Sequence, residues 1–125
     1  MTLEEYWFWL CTADEIWQQD IAQLFEVFDS PEEIFTAGEE RLSMAGCLSP
    51  RKIRSLTESR KSMAFMQKLE KLKRDNIQFI YYGCPEFPDR LSRIPDHPYA
   101  LYVRGRLPDP SKISIGMVGA RACSD

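Results

Sequence analysis

The sequence is poor in the residues that build metal centres and catalytic triads. Its 125 residues include one histidine, His97, and four cysteines that lie more than thirty positions apart without a C-x-x-C pair. Zinc-site spacing, a dense disulfide framework and nucleophile–histidine catalysis are therefore not expected, and we expect neither a metal nor a cofactor. We interpret the cysteines as reduced thiols, although an even number leaves two bridges open: Cys11, Cys47, Cys84 and Cys123.

Long uncharged apolar runs are also missing. No stretch approaches the roughly 18 to 20 apolar residues that cross a bilayer, and the start, MTLEEYWFWLC, is acidic where a secretion signal is basic. With 44% apolar residues, 12% aromatic residues and 8 prolines, the composition fits one folded domain or two very small ones. We therefore expect a soluble, cytoplasmic protein that makes no membrane contact.

Basic residues are absent from the first forty positions. That segment holds eleven acids and carries a charge of -11, whereas the rest of the chain has 16 bases and 8 acids and carries +8. This asymmetry predicts a basic face that could meet a polyanion and an acidic face that could dock a basic partner. Two solvated surfaces are the plain alternative.

Helix start signals divide the first seventy-five residues into short helices. The pattern of residues 39–45 predicts a further short helix, which ends at Gly46. The pattern of residues 51–75 predicts the longest helix, which carries nine bases and bends near Ser59. Four capping signals mark the starts: Thr2 with Glu5, Thr12 with Glu15, Ser30-Pro31 and Ser49-Pro50.

After Asn76 the pattern changes to short strands. Segments 77–82, 100–103 and 113–118 are rich in β-formers and are followed closely by glycine, and prolines between the first two indicate a loop with one helical turn around residues 89–94. We place a domain boundary there, between residues 1–75 and 76–125. Because a strand that enters a glycine turn cannot close a parallel βαβ unit alone, we expect the chain to be the N-terminal portion of a longer protein, truncated within the second domain.

The turn after the third strand has the chemistry of an anion site. In Gly119-Ala120-Arg121-x-x-Ser124, small residues expose backbone N–H groups, and arginine and serine add side-chain donors for a phosphate. The turn is neither a G-x-G-x-x-G fingerprint nor a P-loop, and a plain turn stays an open interpretation.

Two motifs, which follow one another along this second segment, resemble those of the DNA-processing protein A family (DprA, also called Smf). Together they cover residues 77–125, with weaker support from Leu48-Ser49-x-x-Lys52-Ile53. The motifs are Phe87-Pro88-x-x-Leu91-x-x-Ile94-x-Asp96-x-Pro98-x-x-Leu101-Tyr102-x-x-Gly105 and Met117-Val118-Gly119-Ala120-Arg121-x-x-Ser124.

The resemblance implies an α+β fragment. An N-terminal all-α bundle, similar to a sterile-alpha-motif (SAM-like) or helix-hairpin-helix domain, would occupy residues 1–75, and residues 76–125 would supply the first strands of an extended Rossmann (α/β) domain. It further implies a bacterial, non-enzymatic protein that binds incoming single-stranded DNA in natural transformation and competence, protects that DNA and helps load the recombinase RecA. The family's homodimer would form through Rossmann surfaces outside this chain.

Site residues follow from the same resemblance. Gly119, Arg121 and Ser124 match the family's G-[S/A]-R-x-x-S turn, which lines its positively charged DNA pocket, and Arg121 is the expected phosphate contact. Arg51 and Lys52, beside a helix N-terminus, are candidates for auxiliary DNA contacts.

Two other functions stay open from the residues alone. The Gly119 turn could hold the phosphate of a nucleotide in a Rossmann enzyme or sensor of phosphoribohydrolase type. Alternatively, the helical segment could be a protein-interaction module whose acidic face docks a basic partner.

Overall fold

The computed structural model describes residues 1–122, which form seven helices and a two-stranded sheet. This order confirms a helical N-terminal part followed by strands, whereas the Rossmann and SAM-like arrangements stay predictions. The elements are α1 (Leu3–Thr12), α2 (Gln18–Leu24), α3 (Pro31–Thr36), α4 (Glu39–Met44), α5 (Pro50–Ser62), α6 (Ala64–Arg74), β1 (Ile77–Tyr81), α7 (Asp89–Ser92) and β2 (Ala100–Arg104).

Helix α1 is the centre of the core. It starts with the predicted capping box: Thr2 N–H donates to Glu5 Oε2 over 2.8 Å, and Glu5 N–H donates to Thr2 Oγ1 over 3.3 Å. Its four residues from Trp7 to Leu10 are all buried, and the helix packs against α3, α6 and β1. A helical segment buried all round lies inside a structure rather than on its surface, so α2, α3, α5, α6 and both strands assemble around α1.

The Thr12–Glu15 capping box predicted for the second helix is wrong. Thr12 ends α1, where its hydroxyl donates to the Phe8 carbonyl over 2.7 Å, and Glu15 has a left-handed φ of 64°. Helix α2 starts at Gln18 instead, because the Asp20 carboxylate accepts the Trp17 N–H over 2.8 Å. A carboxylate at the third helical position thus caps α2 from inside.

The single long helix predicted for residues 51–75 is in fact two helices. Helix α5 starts at the predicted Ser49-Pro50 signal, but the chain breaks at Met63, which has a left-handed φ of 53°, rather than bending near Ser59. The break lets Phe65 of α6 join the core that contains Leu56 of α5. Burial of both apolar faces outweighs the cost of one left-handed residue.

The two strands form an antiparallel hairpin that packs on the helices. Phe79 of β1 lies opposite Tyr102 of β2. On the same face, the Phe79 ring meets Phe8 edge to face at 5.0 Å, and Tyr81 stacks on Trp7 at 6.0 Å. Helices and hairpin therefore share one aromatic core. The domain boundary near Asn76 stays a prediction.

The third predicted strand is absent from the described residues. Residues 113–118 have no regular secondary structure, and Ile113, Ile115 and Met117 are 93%, 86% and 96% exposed. The alternating pattern is that of a strand, but a strand also needs a neighbour for its N–H and C=O groups. Within residues 1–122 no strand lies beside this segment.

Candidate nucleic-acid interface

The predicted Gly119 turn lies on an exposed segment after β2. Gly119 and Arg121 are both exposed, and a Cβ atom added to Gly119 would meet nothing within 4 Å. Local packing therefore gives no reason for a glycine at this position. Ser124, the third residue of the motif, lies outside the described residues.

A network of polar contacts joins the start of this exposed segment to α7. The Arg90 guanidinium donates to the Pro110 carbonyl over 3.0 Å and to Ser114 Oγ over 3.5 Å. Upstream, the Asp109 carboxylate accepts from the backbone and hydroxyl of Ser111 over 2.9 and 2.7 Å, and these bonds lower the pKa of Asp109. The segment leading to Arg121 is thus fixed at its base and open at the motif.

The candidate auxiliary residues Arg51 and Lys52 are both held by carboxylates. Arg51 pairs with Glu15, and its side chain is 81% exposed. The Lys52 ammonium lies 2.6 and 2.8 Å from the two oxygens of Asp20, whose side chain is only 9% exposed. Lys52 thus holds α5 against the N-terminus of α2, and binding a phosphate would compete with that contact.

Arg60, which the sequence placed among the solvated bases of the long helix, also has a structural role. Its guanidinium donates to the carbonyls of Phe35 and Ala37, both over 2.6 Å. These carbonyls lie at the C-terminal end of α3, where backbone acceptors lack helical partners. Arg60 therefore ties α5 to the end of α3.

Lys73 of α6 pairs with Glu4, and the other five bases of α5 and α6 are exposed. We call this set of five the basic face. Within residues 1–122, no carboxylate forms an ion pair with any of them. Two members, Arg54 and Lys68, border one cleft of about 430 Å³ between the helices, which Glu15 and Glu58 also line. The basic face consists of Arg54, Lys61, Lys68, Lys71 and Arg74.

Aromatic rings lie close together near the start of α2 and the loop before β2. Trp17 is 69% exposed, whereas Trp7 and Trp9 are buried. Tyr82 stacks on His97 at 4.3 Å with an interplanar angle of 11°. The sequence favoured core packing for Trp17, because the false Thr12–Glu15 start placed it inside a helix. Asp20, three residues later, is the signal that identifies Trp17 as a cap.

The cysteines of the described residues are free thiols, namely Cys11, Cys47 and Cys84. Burial raises the pKa of Cys11 to about 12, so this thiol is not a nucleophile at neutral pH. In residues 1–122, no three His, Cys, Asp or Glu side chains are grouped so that they could hold a metal ion. No helix of this described part is long and apolar enough to cross a membrane.

Comparison with known proteins finds similarity over less than half of the chain. Residues 78–125 match the model of the family described as DNA recombination-mediator protein A. Protein Smf of Borreliella burgdorferi is 38% identical over 53 residues, which make up 42% of this chain and 17% of that protein. The match thus spans less than a fifth of the relative's length. No solved structure matches the chain.

Proposed function

We infer that this chain, whose residues 78–125 match the DNA recombination-mediator protein A family, binds single-stranded DNA as a non-enzymatic accessory of DNA processing. The family match carries the inference, because its residues include the Gly119-Ala120-Arg121 motif that the sequence had marked as an anion site. In this proposal the protein binds incoming single-stranded DNA during natural transformation, protects it and helps load RecA.

The central contact of the proposal is Arg121. Its guanidinium is a planar fork of donors that suits phosphate oxygens, and the exposed backbone beside Gly119 leaves room for a strand to approach. Ser124 would add a hydroxyl donor by its place in the motif. None of these three groups distinguishes one base from another, so the proposed binding depends little on sequence.

A second set of contacts would come from the basic face on α5 and α6. Five charged groups there are exposed, and within residues 1–122 none is in an ion pair, so a polyanion could bind them without breaking a structural contact. Arg51 and Lys52 are weaker candidates, since each would first have to leave Glu15 or Asp20. The basic face is thus the stronger auxiliary surface in this structure.

Fluorescence anisotropy of a labelled, unstructured oligonucleotide tests the proposal. We expect tight binding at low salt that weakens as salt rises, and a preference over duplex DNA. Arg121→Ala should weaken binding by about tenfold to a hundredfold, because a charge-assisted hydrogen bond contributes about 1.5–3 kcal/mol, and should lower the salt slope by about 0.7. Arg106→Ala is the matched control, since Arg106 is also exposed but lies outside the motif.

Two results would refute this function. Equal affinity in Arg121→Ala, Arg106→Ala and the unaltered protein would remove Arg121 from the interface. Indifference to DNA together with binding of a mononucleotide would favour the nucleotide-handling enzyme instead. The partnership with RecA, the homodimer and the cytoplasmic location are further parts of the proposal, to be tested by pull-down, light scattering and fractionation.

A further inference from the structure

Two adjoining clefts form an aromatic groove between the start of α2 and the loop before β2. The first, of about 680 Å³, is lined by Trp17, Gln23, His97 and Tyr99. The second, of about 290 Å³, shares Trp17 and Tyr99 with the first and adds Tyr102. We call these two clefts together the aromatic groove.

The groove is held in shape by hydrogen bonds and ring packing. The Gln18 side-chain amide donates to the carbonyl of Asp96 and, over 2.7 Å, to that of His97, which ties the loop to α2. Tyr99 packs against His97 edge to face at 4.9 Å and stacks on Phe25 at 6.0 Å. The walls are therefore ordered before any ligand arrives, which lowers the entropy cost of binding.

The charge of the groove argues against nucleic acid. Among the described residues that line it there is no Lys or Arg, and the only acidic side chain is that of the exposed Asp96. The neighbouring α2 belongs to the forty-residue stretch that carries eleven acids and no base. Single-strand sites pair their aromatic rings with cations that contact phosphates, and those cations are missing here.

The chemistry of the groove suits an extended peptide. The flat aromatic rings can pack against proline side chains. The carbonyls of a polyproline II strand are free to accept hydrogen bonds, and the groove offers donors for them: the Trp17 indole, the tyrosine hydroxyls and the amides of Gln19 and Gln23. Asp96 and the exposed indole face of Trp17 would both attract a cationic side chain. We propose that the aromatic groove binds a proline-rich peptide that carries arginine or lysine.

This proposal is independent of DNA binding, because the groove shares no residue with the Arg121 motif or the basic face. The test measures the fluorescence anisotropy of a labelled peptide, made of prolines and two arginines, as the intact protein is added. We expect saturable binding that Trp17→Ala weakens about tenfold or more, as loss of a tryptophan anchor does. Met44→Ala is the matched control, since Met44 is 80% exposed and lies outside the groove.

A second measurement needs no variant. Trp17 is the exposed indole while Trp7 and Trp9 are 6% and 1% exposed, so acrylamide should quench mainly Trp17. The peptide should shield Trp17 from acrylamide, and a peptide with glutamate in place of arginine should shield it less. Equal peptide affinity in Trp17→Ala and Met44→Ala, or no shielding, would overturn the proposal. Shielding by oligothymidine at lower concentration than by the peptide would overturn it in favour of nucleobases.

Discussion

The ion pair between Lys52 and Asp20 should be the most stabilising of those in the structure. Asp20 accepts three contacts: two from the Lys52 ammonium and one from the Trp17 N–H. In Asp20→Ala, loss of the cap costs about 1 kcal/mol and loss of the charged hydrogen bond about 1.5–3 kcal/mol. Because the Lys52 side chain is 28% exposed and can regain some water, we expect a total loss of about 2–4 kcal/mol, not the full cost of a buried unpaired charge.

The control is the pair between Lys73 and Glu4, whose side chains are 57% and 31% exposed. Surface pairs contribute about 0–1 kcal/mol, so Lys73→Met should barely change the free energy of unfolding. Urea unfolding followed by circular dichroism at pH 7 measures both. Asp20→Ala should lower the midpoint by about 1–2 M urea.

Two outcomes would refute this reasoning. One is a loss of unfolding free energy in Asp20→Ala that lies within about 0.5 kcal/mol of the loss in Lys73→Met, because ordinary surface substitutions differ by that much. The other is strict additivity of Asp20→Ala and Lys52→Met, because contacting residues should couple by about 0.5–3 kcal/mol in a double-mutant cycle. A loss of DNA affinity in folded Lys52→Met protein would instead return Lys52 to the nucleic-acid interface.

Three further predictions concern single positions. Met63→Gly should raise the free energy of unfolding by about 0.5 kcal/mol, because glycine relieves the left-handed φ at the α5–α6 break; a loss in urea unfolding would contradict this. Gly46→Ala should lower it by about 1 kcal/mol, since Gly46 has a φ of 72° and open space beside it, so strain alone acts. At pH 8, iodoacetamide should modify Cys11 at least about a hundredfold more slowly in the folded than in the urea-unfolded protein, because the raised pKa of Cys11 leaves little thiolate. Mass spectrometry measures both rates, and equal rates would refute the burial of Cys11.

Local capping signals predicted helix starts well where the side chain had no competing partner. Thr2, Ser30 and Ser49 each accept a backbone N–H as their sequence context indicated. Thr12 failed because its hydroxyl is used by the preceding turn of α1, a choice that depends on where α1 ends. Such a competition between two helices cannot be resolved from spacing alone.

Tertiary contacts decided the features that the sequence could not predict. The left-handed Met63 carries no glycine or proline signal, and burial of both α5 and α6 on α1 sets its position. The partners of Lys52 and Arg60 lie 32 and 25 residues away in sequence, so both bases looked like part of one solvated stripe. By contrast, the Arg121 motif could be recognised in the sequence because its residues are close together in the chain. Its positions fall within residues 78–125, which match the family model.

The pairing of Phe8 with Phe79 has a consequence for the protein during its synthesis. The two rings are separated by about seventy residues, so at about 5–20 residues per second α1 leaves the ribosome roughly 4 to 14 seconds before β1. During that interval Trp7 lacks its stacking partner Tyr81, and Trp9 lacks Ser59 for the first part of it. The apolar side chains of α1 therefore stay exposed on the nascent chain until β1 has been synthesised.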